Sequence, residues 1–239
     1  MSNSREMRRL KAKWDQSTGW PKRLDYLEID GIRGWDGQRI EFNFPIVAIV
    51  GENGTGKSTI LQCAAATYQP PDANEKLNNW FASDFFPKTI WEDSTRASIR
   101  YAVREGTKPT NGSIRKPGER WRGNPERPKR AVTYVDSRRL QPIVARTGYS
   151  KLAKDATQEL SAERFDEKRL NRFSAIMGRK YQGTRMALTD ADKNRDVPIF
   201  VDTAKKDDCT YSGYHAGAGQ MTIAEFLRLD PPQKQYFAD

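Results

Sequence analysis

The residues with the plainest chemical meaning are Gly51-Glu52-Asn53-Gly54-Thr55-Gly56-Lys57-Ser58, which fit the pattern G-x-x-x-x-G-K-[ST] at every fixed position. Glycines at this spacing let successive backbone N–H groups curl around an anion. In such a loop Lys57 reaches the β- and γ-phosphates of a nucleoside triphosphate, and the Ser58 hydroxyl is a ligand for Mg²⁺. Residues 51–58 and the adjoining Thr59 are therefore the candidate nucleotide contacts. The pattern requires a strand before it and a helix after it. Ile46 to Val50 is a short β-branched run that suits a buried strand, and Thr59 to Ala66 suits a helix whose N-terminus adds positive charge to the cradle.

Two other stretches could do chemistry. Residues 104–130 carry nine Lys or Arg (Arg104, Lys108, Arg115, Lys116, Arg120, Arg122, Arg127, Lys129, Arg130) against Glu105, Glu119 and Glu126. Clustered cations favour polyanions, so nucleic acid is a candidate partner, with a plain solvated surface as the alternative. Near the C-terminus, Tyr211-Ser212-Gly213-Tyr214-His215-Ala216-Gly217-Ala218-Gly219-Gln220 precedes a helical Thr222 to Leu227. A small-residue turn that opens a helix offers N–H groups to an anion. His215, the only histidine, has no evident proton-relay partner.

These residues need a scaffold. Arg5 to Trp14 reads as a short basic helix, broken by Gly19-Trp20-Pro21. Leu24 to Ile29 and Arg39 to Phe44 alternate as half-buried strands on either side of Gly31 and Gly34, and lead into the phosphate loop. Ala97 to Val103 and Val132 to Val135 are strand candidates, and the basic stretch between them, with four prolines and four glycines, reads as a long loop or hairpin. Helical spacing runs from Ser161 to Met177, with Gly178 after it, and Met186–Leu188 and Pro198–Val201 read as strands. The division expected is a basic arm (1–22), a loop-bearing core (23–70), an inserted lobe (71–180) and a C-terminal part (181–239).

Composition narrows the class. With 36% hydrophobic and 30% charged residues the core is modest, and no apolar run approaches the ~20 residues of a membrane span. Cys63 and Cys209 give neither a disulfide framework nor metal spacing, and no apolar signal segment follows Met1. The expectation is a cytoplasmic α/β protein with no membrane partner.

Taken together, Leu27-Glu28-Ile29-Asp30-Gly31-Ile32-Arg33-Gly34, the loop Asn53 to Thr59, and Gly217-Ala218-Gly219-Gln220 resemble the opening strand, phosphate loop and signature of ABC-superfamily ATPase heads. The branch that fits is the SMC/RecF-like one, with relatives in bacterial defence systems. The resemblance implies a P-loop NTPase fold with antiparallel N-terminal strands, a central mixed sheet and an inserted helical and loop lobe. It implies ATP and Mg²⁺ as cofactors and a homodimer or partner chain that completes each site. Gly217, Gly219 and Gln220 would then face the partner's triphosphate, Arg33 would lie near the nucleotide, and Gln141 would position metal and water. Gly217 stands where the family has serine. A DNA-directed or anti-phage effector would be controlled by nucleotide-dependent pairing.

That chemistry also needs an apolar strand ending in Asp and then Glu, after the signature helix. The nineteen residues after Gln220 hold no such strand, so weak hydrolysis is expected. Two internal runs imitate it, Val132 to Asp136 and Ile199 to Asp202, neither followed by Glu. Asp136 as a metal ligand would make the chain a self-sufficient RecA- or AAA-like ATPase; a nucleic-acid-binding module with regulatory ATP is the other alternative.

Overall fold

The computed structural model describes residues 4–17, 20, 22–71, 79–88, 96–135, 158–190, 196–202 and 209–229. They fall into two compact units, divided between Tyr134 and Val135.

The first unit opens with helix α1 (Arg5–Gln16), whose N-cap Ser4 accepts the Met7 N–H and whose C-cap Ser17 is left-handed. Strands β1 (Arg23–Ile32), β2 (Trp35–Glu41), β3 (Ala97–Glu105) and β4 (Lys108–Lys116) form an antiparallel sheet in the order β2-β1-β3-β4. Helix α2 (Lys57–Ala66) and the one-turn α3 (Ala82–Phe85) belong to the same unit. Period-two alternation turns Leu27 and Ile29 of β1, Ile99 and Tyr101 of β3 and Ile114 of β4 inward, where they join Ile60, Cys63 and Ala66 of α2 in one buried cluster. Each such aliphatic side chain contributes about 1.5–3 kcal/mol on burial. The opposite face is charged and mostly paired, through Arg100 with Glu28, Arg104 with Asp25 at 2.7 Å, and Arg39 with Glu41 at 3.4 Å.

The second unit is a separate antiparallel sheet, β5 (Glu159–Arg164), β6 (Tyr181–Thr189), β7 (Asp196–Asp202) and β8 (Cys209–Ser212), in that order. Helices α4 (Glu167–Met177) and α5 (Ala218–Leu229) complete it, and Phe173 of α4 stacks on Phe200 of β7 at 5.5 Å in the buried cluster. The α/β class and the antiparallel N-terminal strands are as expected, and both sheets are antiparallel throughout. Parallel pairing among the described residues is confined to the bridge between Gln69 and Lys129.

Three expectations are corrected, and the basic stretch resolves between its two alternatives. Ile46 to Val50 is not a strand: after the last rung, Phe42 N–H to Asp25 at 2.8 Å, the chain bends at Phe44–Ile46 around Pro45, which has no N–H to give. No described strand pairs with the run, and Ile46 and Val50 are 69% and 86% exposed. Of the basic stretch, expected as a long loop or hairpin, 104–105 and 108–116 form the hairpin of β3 and β4, with Pro109 and Gly112 held in the ladder. Residues 97–134 fall in the same compact unit as the phosphate loop. Val132 to Val135 makes no ladder, although Val132 and Tyr134 pack against the core. The helix expected from Ser161 begins at Glu167, because Asp166 caps it through the Arg169 N–H while Ser161 sits in β5.

Candidate nucleotide site

The loop takes the shape its glycines permit. Gly54 and Gly56 have φ of 87° and 86°, in the left-handed region that favours glycine. Gly56 is the N-cap of α2 and supplies no side-chain acceptor, which leaves first-turn N–H groups for an external anion. Thr55 Oγ1 ties the loop to the Glu52 carbonyl at 2.9 Å. Lys57 Nζ donates to the carbonyls of Gly51 at 2.8 Å and Glu52 at 2.5 Å. Those acceptors are neutral, and phosphate oxygens make stronger, charge-assisted partners for the same ammonium. Gly51, Glu52, Asn53, Gly54, Thr55 and Ser58 are exposed, while the Thr59 side chain is only 3% exposed and faces the core. Among the described residues no group of three or more His, Cys, Asp or Glu could hold a metal ion.

Arg33 sits beside this helix in the left-handed region, at φ 48°. Its guanidinium donates to Gln62 Oε1 of α2 at 2.9 Å and to the Phe85 carbonyl of α3 at 3.0 Å, and lies 5.0 Å from the Phe86 ring centre. It is held as a brace between the two helices. One turn inside α2, burial pushes the Cys63 thiol up to about 12, against a smaller opposing pull from Arg33.

In the second unit, Gly217, Ala218 and Gly219 are exposed at the start of α5, and a Cβ added at either glycine would meet nothing within 4 Å. Gln220 is turned inward: its Nε2 donates to Tyr211 Oη at 2.6 Å and to Tyr181 Oη at 3.3 Å. Burial, then the Tyr211 hydroxyl, pushes the Tyr181 phenol upward. His215 is exposed, edge-on to Tyr214 at 5.1 Å. Asp202, one of the two imitation carboxylates, is buried near the Arg179 guanidinium, 3.7 Å away. Asp136 and Gln141 lie outside the described residues.

The nine cations of 104–130 divide by role. Arg104 pairs with Asp25, Arg130 donates to the Lys22 carbonyl at 3.0 Å, and Lys116 is 3% exposed. Arg127, also 3% exposed, donates to the carbonyls of Ala66, Tyr68, Trp80 and Asn124 and to Asn79 Oδ1, at 2.6 to 3.1 Å. Lys108, Arg115, Arg120, Arg122 and Lys129 remain exposed. Sequence reasoning missed Arg127 as a structural residue and Trp35 as a neighbour of Gly56. An aromatic beside a glycine turn just ahead of the phosphate loop was the available signal for the second.

Residues 26–204, most of the chain, match the AAA domain family, so the chain belongs to that family of P-loop ATPase domains. The chain is 38% identical over 82 residues to the DNA repair protein RAD50 of Saccharomyces cerevisiae and 34% identical over 89 residues to that of Drosophila melanogaster. The rad50 of Schizosaccharomyces pombe is 34% identical over 87 residues. These matches cover 32–34% of this chain and 6% of each relative.

Proposed function

We propose that the chain is an ATP-binding head whose nucleotide state controls pairing with a second head, and through it a DNA-directed effector. The observation that carries this is the loop: two left-handed glycines open α2, and Lys57 is folded onto carbonyls that a triphosphate would replace. ATP is the nucleotide, with Mg²⁺ at Ser58.

Gly219 supports the pairing. A glycine inside a helix costs about 1 kcal/mol relative to alanine, and nothing in this unit crowds it. A backbone left bare in this way suits the close approach of another molecule, here a partner head's triphosphate. Gln220 is committed to Tyr211 and Tyr181, so the contact would come from the backbone at 217–219. The exposed run Ile46 to Val50 suits a strand partner outside the described residues, a homodimer copy or another chain. Of the two imitation carboxylates, Asp202 lies beside Arg179.

Nucleic acid is the polyanion that the exposed cations Lys108, Arg115, Arg120, Arg122 and Lys129 fit, and similarity to RAD50 supports it. Anti-phage defence is the setting we favour for the effector, and free thiols at Cys63 and Cys209 suit a cytoplasmic location. No helix among the described residues is long and apolar enough to cross a membrane.

The test combines calorimetry of ATP·Mg²⁺ binding with sedimentation in the presence and absence of ATP. ATP-dependent association that disappears in Gly219→Asp supports the proposal, because an acidic residue in a helix's first turn is compatible with folding but repels a second γ-phosphate. Brisk turnover lost in Asp136→Asn would overturn it in favour of a self-sufficient ATPase.

A further inference from the structure

We propose that Trp35 is a further nucleotide-contacting residue, its indole Nε1–H donating to a phosphate oxygen of the triphosphate held by residues 51–58. This rests on the nucleotide reading above and adds a donor from outside the loop.

Trp35 opens β2 immediately after the Gly31–Gly34 turn, and its indole lies against Gly56. A Cβ added at Gly56 would fall 2.5 Å from Trp35 Nε1, 3.0 Å from Cε2 and 3.1 Å from Cζ2. The nitrogen edge of the ring is therefore the part nearest the loop. Gly56 is the N-cap of α2, so the indole lies against the residue from which the phosphate-loop helix starts.

The other described tryptophans are placed differently. Trp14 pairs edge-on with Trp20, Trp80 stacks on Phe85, and Trp121 leans on Phe86. Trp35 joins no ring pair among the described residues and is half-buried. The Nε1 atoms of Trp20, Trp80 and Trp121 are shut away from solvent, whereas Trp35 Nε1 is not among the buried unpartnered atoms and has no acceptor among the described residues. An indole N–H is a donor only, so an anion is its natural complement. Filling the space over Gly56 needs only an aromatic ring. The N–H is what tryptophan adds there over phenylalanine, and it adds it beside Lys57.

Inorganic tripolyphosphate with Mg²⁺, titrated into the full chain, separates the possibilities. In ¹⁵N-labelled protein the Trp35 indole N–H resonance is identified as the one that disappears in Trp35→Phe or Trp35→Tyr. It should shift on titration and become protected from exchange with water. Trp35→Phe should stay folded, since the ring still packs on the core, and should bind tripolyphosphate about tenfold more weakly, the loss expected for one hydrogen bond to a charged group. If Lys57→Ala abolishes binding but the Trp35 resonance does not move, the inference fails and the loop reading stands. Equal affinity in a folded Trp35→Phe also overturns it. Failure of the unaltered chain to bind tripolyphosphate or ATP would remove both readings together.

Discussion

Arg115 and Arg122 face each other across the free edge of the first sheet, their backbones exchanging hydrogen bonds of 3.0 and 2.7 Å. Two like charges directly opposite on neighbouring strands are destabilising, and both side chains are exposed. One strand further in, Arg100 has Glu28 as its counter-ion; at this edge no described acidic residue does the same. The arrangement sacrifices stability at the place where a phosphodiester backbone would relieve it.

The double variant Arg115→Gln/Arg122→Gln should therefore bind duplex DNA more weakly, with a salt dependence flattened by about 0.9 in log–log slope for each phosphate no longer neutralised. Its melting temperature should hold or rise slightly. Filter binding across a salt series checks the first part, and an unchanged slope would show that this edge is only a solvated surface.

Lys57→Ala should lose ATP binding while keeping the fold. The ammonium bonds only loop carbonyls that remain open to water, so its removal leaves nothing buried unpaired. Calorimetry together with circular dichroism reads both outcomes, and ATP affinity equal to that of the parent would refute the loop assignment.

Arg127→Ala should be among the most damaging single substitutions. It strands the carbonyls of Ala66, Tyr68 and Trp80, and each buried acceptor left unmade costs about 1–3 kcal/mol. A total on the order of 3 kcal/mol is expected in urea unfolding. Arg127→Lys should recover only part of it, since an ammonium cannot span acceptors that lie in several segments.

Much of this was legible in advance, for stated reasons. Period-two patterning located β1, β2 and β3 because each has one face in the core and one in water, and the phosphate loop was readable because its spacing is set by backbone geometry. Ile46 to Val50 misled because apolar composition reports burial potential and not whether a hydrogen-bonding neighbour exists. In the basic stretch the hairpin alternative was right, and the loop alternative misled in the opposite sense. Gly112 and Pro109 lower strand propensity, yet the register of β4 on β3 puts Gly112 against Tyr101, where an added Cβ would fall 2.4 Å from the ring. The glycine there makes room for the tyrosine and does not mark a loop. Arg127 was invisible because its partners lie up to 61 residues away and all but Asn79 Oδ1 are backbone carbonyls, which composition does not record.

Alkaline pH should destabilise the first unit. Burial raises the folded-state pKa of Cys63 to about 12 and of Tyr68 to about 12, above unfolded values of about 8.5 and 10. The folded state then holds its protons more tightly. That stability is fully present below pH ~8.5 and is lost as pH rises toward 12. Urea midpoints measured from pH 7 to 11 should fall, with the early part of the decline absent in Cys63→Ala. A flat profile would show that the thiol is not held in the protonated form.

The bridge between Gln69 and Lys129 and the grip of Arg127 on Ala66 and Tyr68 bring together two places on the chain separated by some sixty residues. Whatever lies between them is tethered at its base, so its length is decoupled from the phosphate-loop helix. Loop closure grows only slowly in entropic cost with length, roughly 0.6 kcal/mol per doubling. The turns at Gly106–Thr107 and 117–120 are thus places where related proteins can gain or lose residues, changing what the sheet edge meets without disturbing how the nucleotide is held.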